Sequence, residues 1–347
     1  MAHIAHRLVY MIVVSAALAA VCDGQSSGSG VFAVTRTLKV GGGGGWDYVR
    51  LDDQGRLLYL PRTTHTLVVD AESGKTIADI PGCKRNHGVA LVPAVGRGFI
   101  SDGGDGVIEV FDLKTYEVLG KIKAADDADG IIYDAASDRV LVACGDAGVL
   151  IPIKPDVDPK SGQADPPIDL GGKPEYLVSD GQGKVYVNIA DRHELAAVDT
   201  KSMKVISRWP TAPGRQPTGL SMDPATHRLF VGCRNQKLIV MSAEDGHVLA
   251  DLPIGPGVDA TAFYDGLALA SCVDGTLAVV RETSPGNFAV VQTVKTAPGA
   301  KTMALDPKTG KIYLATADLQ PPPADRPRAR PQPVPGTFKV IVVERGL

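Results

Sequence analysis

The sequence predicts an all-β protein, a seven-bladed β-propeller built from four-stranded antiparallel blades. Three observations carry this reading. A short strand motif recurs seven times, as RLLYLPR, RGFISD, RVLVAC, KVYVNI, RLFVGC, GLALASC and KIYLAT. Its central residues, Tyr59, Phe99, Leu141, Tyr186, Phe230, Leu269 and Tyr313, stand 39 to 45 residues apart, the period of propeller blades. The copies alternate apolar and polar residues, and no long stretch repeats every 3.6 residues as a helix would.

Each copy has the same surroundings. A short strand and an Asp-led turn precede it, as in IIYDAASDR, LVSDGQGK, LSMDPATHR and MALDPKTGK. Asp134, Asp180, Asp223 and Asp306 begin these turns, where a short carboxylate bonds the backbone two residues on. A third strand follows (TLVVD, IEVFD, LAAVD, LIVMS, LAVVR), then a fourth (KTIADIP, EVLGKIK, KVISRWP, HVLADLP, AVVQTVK). A single blade cannot bury both faces of its sheet, so the unit is stable only between neighbours.

The ends of the repeat predict how the ring closes. The last unit has strands at 303–305, 311–316 and 338–344 and lacks a fourth. A spare strand, VFAVTRTLKV at 31–40, precedes the first unit and is expected to complete the last blade, because an open ring leaves two unpaired edges. A proline-rich insertion at 319–336 interrupts the last blade between its second and third strands, either as a solvated loop or as a partner-recognition arm. Five glycines, Gly41 to Gly45, join the closing strand to the first blade; they supply flexibility or a close backbone approach to a ligand.

Ahead of the propeller, Arg7 and the apolar run Leu8 to Leu18 read as a signal peptide over 1–19, with Ala17-Leu18-Ala19 as a small-x-small cleavage pattern. Residues 20–30 read as a flexible leader, and 31–347 as one propeller domain. The expected location is the bacterial periplasm or the exterior. Lipoprotein anchoring at Cys22 is the weaker alternative, because Val21 is a poor fit before a lipidated cysteine. No transmembrane segment is expected in the mature chain, and a monomer is expected.

Bulk properties exclude some functions. A net charge of −3 gives no basic footprint for nucleic acid. The cysteines, Cys22, Cys83, Cys144, Cys233 and Cys272, form no C-x-x-C pair, haem site or zinc knuckle. SGKT at 73–76 lacks the upstream glycine of a phosphate loop, and DGGDG at 102–106 has the composition of any strand turn. No G-x-S-x-G stands at a strand-to-helix elbow, since the match at 24–28 falls in the flexible leader, and there is no H-E-x-x-H.

The repeat KVYVNIADRHELAAVDTKSMKVISRWP, with Tyr186-Val187-Asn188, resembles the YVTN-repeat family of bacterial exported seven-bladed propellers. The resemblance covers essentially the whole mature chain. It implies fold and export, and it assigns no reaction, because the architecture serves lactonases, dehydrogenase subunits and binding scaffolds alike.

The repeat also predicts what faces the central channel. The residue five before the turn Asp starts each innermost strand: Asp47, His87, Asp129, Glu175, Thr218, Asp259 and Lys301. Gly88, Gly130, Gly219 and Ala260 follow four of them, and small residues let strands crowd near the axis. Converging carboxylates raise one another's pKa or recruit a cation. The candidate cofactor is a divalent metal, Ca²⁺, Mg²⁺ or Zn²⁺, with His87, Asp129, Glu175 and Asp259 as ligands. A water-filled channel with no ligand is the competing reading. A second column, at the end of each second strand, reads Arg62, Asp102, Cys144, Ile189, Cys233, Cys272 and Thr316. Its cysteines stand in separate blades, too far apart for disulfides, and read as packing thiols or as a metal or redox group. Arg62 and Asp102, with Arg234 and Asn235 beside Cys233, complete the ligand-binding candidates.

Three functions follow from these residues. The leading one is an exported propeller that binds a small molecule, metal or protein partner at its funnel face. The second is a metal-assisted hydrolase of a lactone or ester in the same funnel. The third is a passive scaffold working through blade edges or the proline-rich insertion.

Overall fold

The computed structural model describes residues 31–322 and 331–346. The segments expected to be a signal peptide and a flexible leader, with Cys22, lie outside the described residues, as does the middle of the proline-rich insertion, 323–330.

Among the described residues there are seven four-stranded antiparallel sheets, each in simple up-and-down order except the last. The innermost strands of blades 1 to 7 are Arg50–Leu51, Asn86–Val92, Ala128–Asp134, Pro174–Ser179, Pro217–Asp223, Val258–Tyr264 and Met303–Leu305. Blade 7 is finished by the N-terminal strand Phe32–Lys39, which pairs with Lys339–Arg345 along its whole length. Gln292 of blade 6 fixes this strand from outside: its Oε1 accepts from Phe32 N at 2.9 Å and its Nε2 donates to Phe32 O at 2.7 Å.

Position within a blade explains the composition of each strand. Third strands such as Glu194–Asp199 and Lys237–Ser242 are covered on both faces and are buried over four consecutive residues. The outermost strand Lys204–Pro210 alternates exposed and half-buried residues, because one of its faces meets water. The core is a set of clusters between neighbouring blades; between blades 3 and 4, Leu141, Ala143 and Leu150 pack against Leu177, Val185 and Val187. Each such leucine contributes about 1.5–3 kcal/mol by leaving water.

The glycines near the axis are there for space. A Cβ at Gly88 would stand 2.8 Å from Ile131 Cγ2, one at Gly130 2.3 Å from Glu175 O, and one at Gly219 2.9 Å from the Ala260 carbonyl carbon. The proline-rich insertion leaves blade 7 as a small ribbon, Leu319–Gln320 paired with Gln332–Pro333. No helix among the described residues is long and apolar enough to cross a membrane.

Candidate functional site at the funnel face

The inner strands carry the local feature that builds the site. In blades 2 to 6 the register against the second strand shifts at the same place: between Asn86 and Val89, Ala128 and Ile131, Pro174 and Leu177, Pro217 and Gly219, and Val258 and Ala260. His87, Asp129, Glu175, Thr218 and Asp259 each sit inside one of these irregularities. A bulged residue is released from ladder pairing and its side chain is re-aimed. The backbone around the ring is then clamped from neighbouring blades. Ser101 Oγ donates to Asp129 O at 2.6 Å, Asn188 Nδ2 to Thr218 O at 2.9 Å, Ser271 Oγ to Lys301 O at 2.6 Å, and Thr302 Oγ1 to Asp47 O at 2.9 Å. Tyr48 N donates to His87 O at 3.0 Å.

Two groups of side chains result. In the first, His87 Nδ1 lies 2.8 Å from Asp47 Oδ2 and 3.4 Å from Asp129 Oδ1. The imidazole is tucked beneath the turn of blade 2, where a Cβ at Gly103 would come 3.0 Å from Nε2. Nε2 of His87 and Oδ1 of Asp129 are both out of contact with solvent and have no hydrogen-bond partner among the described residues. Burial alone would lower the His87 pKa; the Asp47 hydrogen bond and the charges of Asp129 and Asp47 outweigh it and carry the pKa up to about 9. Burial pushes the Asp129 carboxyl well above the usual carboxylate range, helped by the charges of Asp47, Glu175 and Asp127 against the pull of His87.

The second group is Glu175, Asp259, Lys301 and Arg234. Lys301 forms an ion pair with Asp259. Arg234 Nη2 stands 3.9 Å from both Glu175 Oε1 and Asp259 Oδ1, beyond hydrogen-bond range of either. Burial raises the Glu175 pKa, with Asp259 and Asp47 adding to it and Arg234 and Lys301 opposing.

Below the ring two tyrosines meet, Tyr48 of blade 1 and Tyr176 of blade 4, with ring centroids 4.8 Å apart. Burial first, then the charges of Asp129, Asp47, Asp259 and Glu175, raises the Tyr48 hydroxyl well above its ordinary pKa. On the far side of the pair lies a cavity of about 520 Å³ that also touches Arg50, Tyr133, Ser179 and Ser221.

Beside the ring, on the funnel face, is a cleft of about 600 Å³. Trp46, Val258, Val273, Pro298, Leu319 and Pro331 form its apolar walls, and Arg234, Asp259 and Lys301 supply its charge. The base of the proline-rich insertion is thus one wall of a pocket. Trp46 is held by its Nε1 donating to Gly299 O at 3.2 Å.

Some candidates from the sequence have other duties. Thr218 is fully buried, and its hydroxyl donates to Val258 O at 2.7 Å instead of facing the channel. Arg62 is buried, and its guanidinium donates to the carbonyls of Gly41, Gly43, Gly44 and Gly45 while stacking 3.5 Å over the Phe338 ring. The glycine run thus wraps a guanidinium: Gly44 has φ +88°, and a Cβ there would meet Arg62 O at 2.6 Å. Asp102 is buried and accepts from the backbone N–H of Lys84, Arg85 and Gly104, which fixes the loop leading to His87. Asn235 braces a loop, accepting from Arg215 N and donating to Pro213 O. Of the proposed metal ligands, His87 and Asp129 are brought together with Asp47, whereas Glu175 and Asp259 face Arg234 and Lys301. Cys83, Cys144, Cys233 and Cys272 are buried free thiols.

Sequence reasoning missed Trp46, Tyr48 and Tyr176. A signal for the two tyrosines was present: the residue after each ring position reads Tyr48, Gly88, Gly130, Tyr176, Gly219, Ala260 and Thr302, so two large aromatics stand in a mostly small column.

No family model matches the chain, and no curated protein matches it. Among solved structures 1781 chains match, which marks the architecture as a common one. One is Kuenenia stuttgartiensis hydrazine synthase, with a TM-score of 0.68 and 13% identity over 80% of this chain and 92% of that chain. At this identity the likeness is one of fold: the chain is a β-propeller, and the comparison assigns it no activity.

Proposed function

We propose that this chain is an exported propeller of the YVTN-repeat type that binds a small amphipathic molecule, with an apolar body and an anionic group, at its funnel face. The observation that carries the reading is the cleft of about 600 Å³ whose apolar walls lead onto Arg234. Binding sites are concave and mostly apolar, with a few convergent polar groups. Trp46, Val273, Pro298 and Leu319 would cover the apolar body. Asp259 is engaged by Lys301, and Arg234 makes only long ion pairs, 3.9 Å, with Glu175 and Asp259 and no hydrogen bond to either, so its planar fork is the group best placed to take a carboxylate. Export rests on the apolar segment Leu8 to Leu18 behind Arg7.

Isothermal titration with hexanoate, octanoate and decanoate tests the reading. Affinity is expected to rise about 4-fold per added methylene until the cleft fills, at about 0.8 kcal/mol each. Arg234→Ala and Trp46→Ala are each expected to weaken octanoate binding by about 10-fold or more. Saturable binding that ignores both substitutions would place the ligand elsewhere, and no saturable heat with any of the three acids would refute the amphipathic-anion reading.

A further inference from the structure

We propose that Asp47, His87 and Asp129 form a binding site for one divalent transition-metal ion, of the Zn²⁺ or Mn²⁺ class. The inference does not depend on the amphipathic ligand, because these residues are outside the apolar cleft. Each offers one donor atom: Oδ2 of Asp47, Nδ1 of His87 and Oδ1 of Asp129, all within 4.8 Å of one another. Adjacent ligands bound at about 2.0–2.1 Å with octahedral or tetrahedral angles stand about 2.8–3.4 Å apart. The two separations seen from His87 Nδ1, 2.8 and 3.4 Å, bracket that range. Asp47 and Asp129 are therefore each spaced from His87 as neighbours around one ion, and all three donors lie within 4.8 Å of one another.

A proton does not serve this group as well. Carried on Nδ1, it bonds Asp47 and leaves Oδ1 of Asp129 buried with no hydrogen-bond partner among the described residues. An unserved buried acceptor is costly. A dication shared by three donors satisfies all of them together.

The backbone supports the same reading. The carbonyls of Asp47, His87 and Asp129 are held by Thr302, Tyr48 and Ser101 respectively, so the three ligands come from three blades already fixed in place. One imidazole and two carboxylates suit zinc or manganese; calcium asks for six to eight oxygens and copper(I) for sulfur. Three protein ligands leave open coordination positions, as in sites that bind a further small molecule.

The test uses the full chain, freed of metal by dialysis against a chelator and titrated calorimetrically with Zn²⁺ and with Mn²⁺. One equivalent of at least one of these ions is expected to bind. His87→Gln and Asp129→Asn should each lower the affinity by about 100-fold or more, while Glu175→Gln and Asp259→Asn leave it essentially unchanged. A second readout needs no variant: adding Zn²⁺ to wild-type protein should move the Nδ1 resonance of His87 in an imidazole ¹⁵N spectrum. Absence of saturable binding by both ions overturns the site. So does binding that survives His87→Gln, or, where Zn²⁺ is an ion that binds, a His87 Nδ1 resonance that it does not move. Failure of the carboxylate series above leaves this site standing, and failure here leaves that cleft standing.

Discussion

Tyr48 and Tyr176 meet across the propeller axis, their ring centroids 4.8 Å apart and their planes tilted by 43°. They come from blades 1 and 4, which face each other in a ring of seven, so the pair spans the channel and divides its two mouths. Neither ring is sealed in a dry core, so replacing either by alanine is expected to cost about 2 kcal/mol, below the range for a fully buried aromatic. The double variant should show a coupling of about 0.5–1.5 kcal/mol in urea denaturation, as aromatic pairs do. Strictly additive losses would mean that the rings touch without supporting each other.

Arg62 holds the chain where the closing strand passes into blade 1. Its Nε bonds Gly45 O at 2.9 Å and its Nη2 bonds Gly43 O at 2.7 Å, with Phe338 beneath the guanidinium plane. Arg62→Ala is expected to cost about 3 kcal/mol, since four carbonyls lose a charged donor and Phe338 loses a buried packing partner at once. Arg62→Lys should recover little of that, because an ammonium has neither the fork nor the flat face. Full recovery in the lysine variant, measured by denaturant midpoint, would show that charge alone matters there.

Ring closure predicts the behaviour of a shortened chain. Phe32 is buried at the far end of the closing strand, and Phe32→Ala is expected to cost about 3 kcal/mol. A chain starting at Gly41 bares the edge of Lys339–Arg345, and exposed edges recruit other chains. It should elute as a concentration-dependent mixture of species in size-exclusion chromatography with light scattering. A monodisperse monomer that melts like the full-length chain would contradict closure by this strand.

The buried thiols give a simple check on the interior. Burial pushes Cys144, Cys233 and Cys272 up to about 12, so almost no thiolate is present at pH 8. The native protein is expected to leave these three unreacted with an aromatic disulfide reagent, and denatured protein to release them all. Rapid native labelling at any of them, located by mass spectrometry, would place that cysteine on the surface.

The fold was legible because one motif, from RLLYLPR to KIYLAT, repeats at blade length and each copy brings its own turn Asp. The ring was legible because a fixed offset from that turn names the same place in every blade, and it correctly brought His87 and Asp129 together. The offset could not tell which way a short side chain turns. Thr218 occupies the ring position, but its hydroxyl finds Val258 O and leaves the channel. Nor could it show that Arg62 would be captured by carbonyls about one strand-turn earlier in the chain, since that contact depends on how five glycines coil around a guanidinium. The cleft was hidden for a similar reason: Trp46, Val273, Leu319 and Pro331 belong to different blades and to the insertion, and no local pattern unites them. The tyrosine pair was readable in the sequence, as two large residues in a column of small ones.

The proton balance of the ring predicts how stability depends on pH. The folded His87 pKa, about 9, lies above its ordinary value of 6.5. A base whose pKa rises on folding contributes its full stabilisation below the unfolded value and loses it as pH climbs through the folded one. Asp129 acts with the same sign: its carboxyl keeps its proton above the ordinary carboxylate range in the fold, so raising the pH through that window also disfavours the native state. Arg85 opposes His87 protonation, while Asp47 and Asp129 favour it, and the net upward shift of His87 sets the direction. In chelator-containing buffer, the free energy of unfolding is therefore expected to fall by about 3 kcal/mol between pH 6.5 and pH 9, given about 1.4 kcal/mol per pKa unit. The His87→Gln variant should show a smaller slope across this interval, because glutamine keeps a polar group there without the imidazole's titration and leaves only that of Asp129. Urea denaturation of both proteins at half-unit pH steps decides the matter: an equal slope in the variant would mean that the pH dependence arises from other groups and that His87 holds no extra proton in the fold.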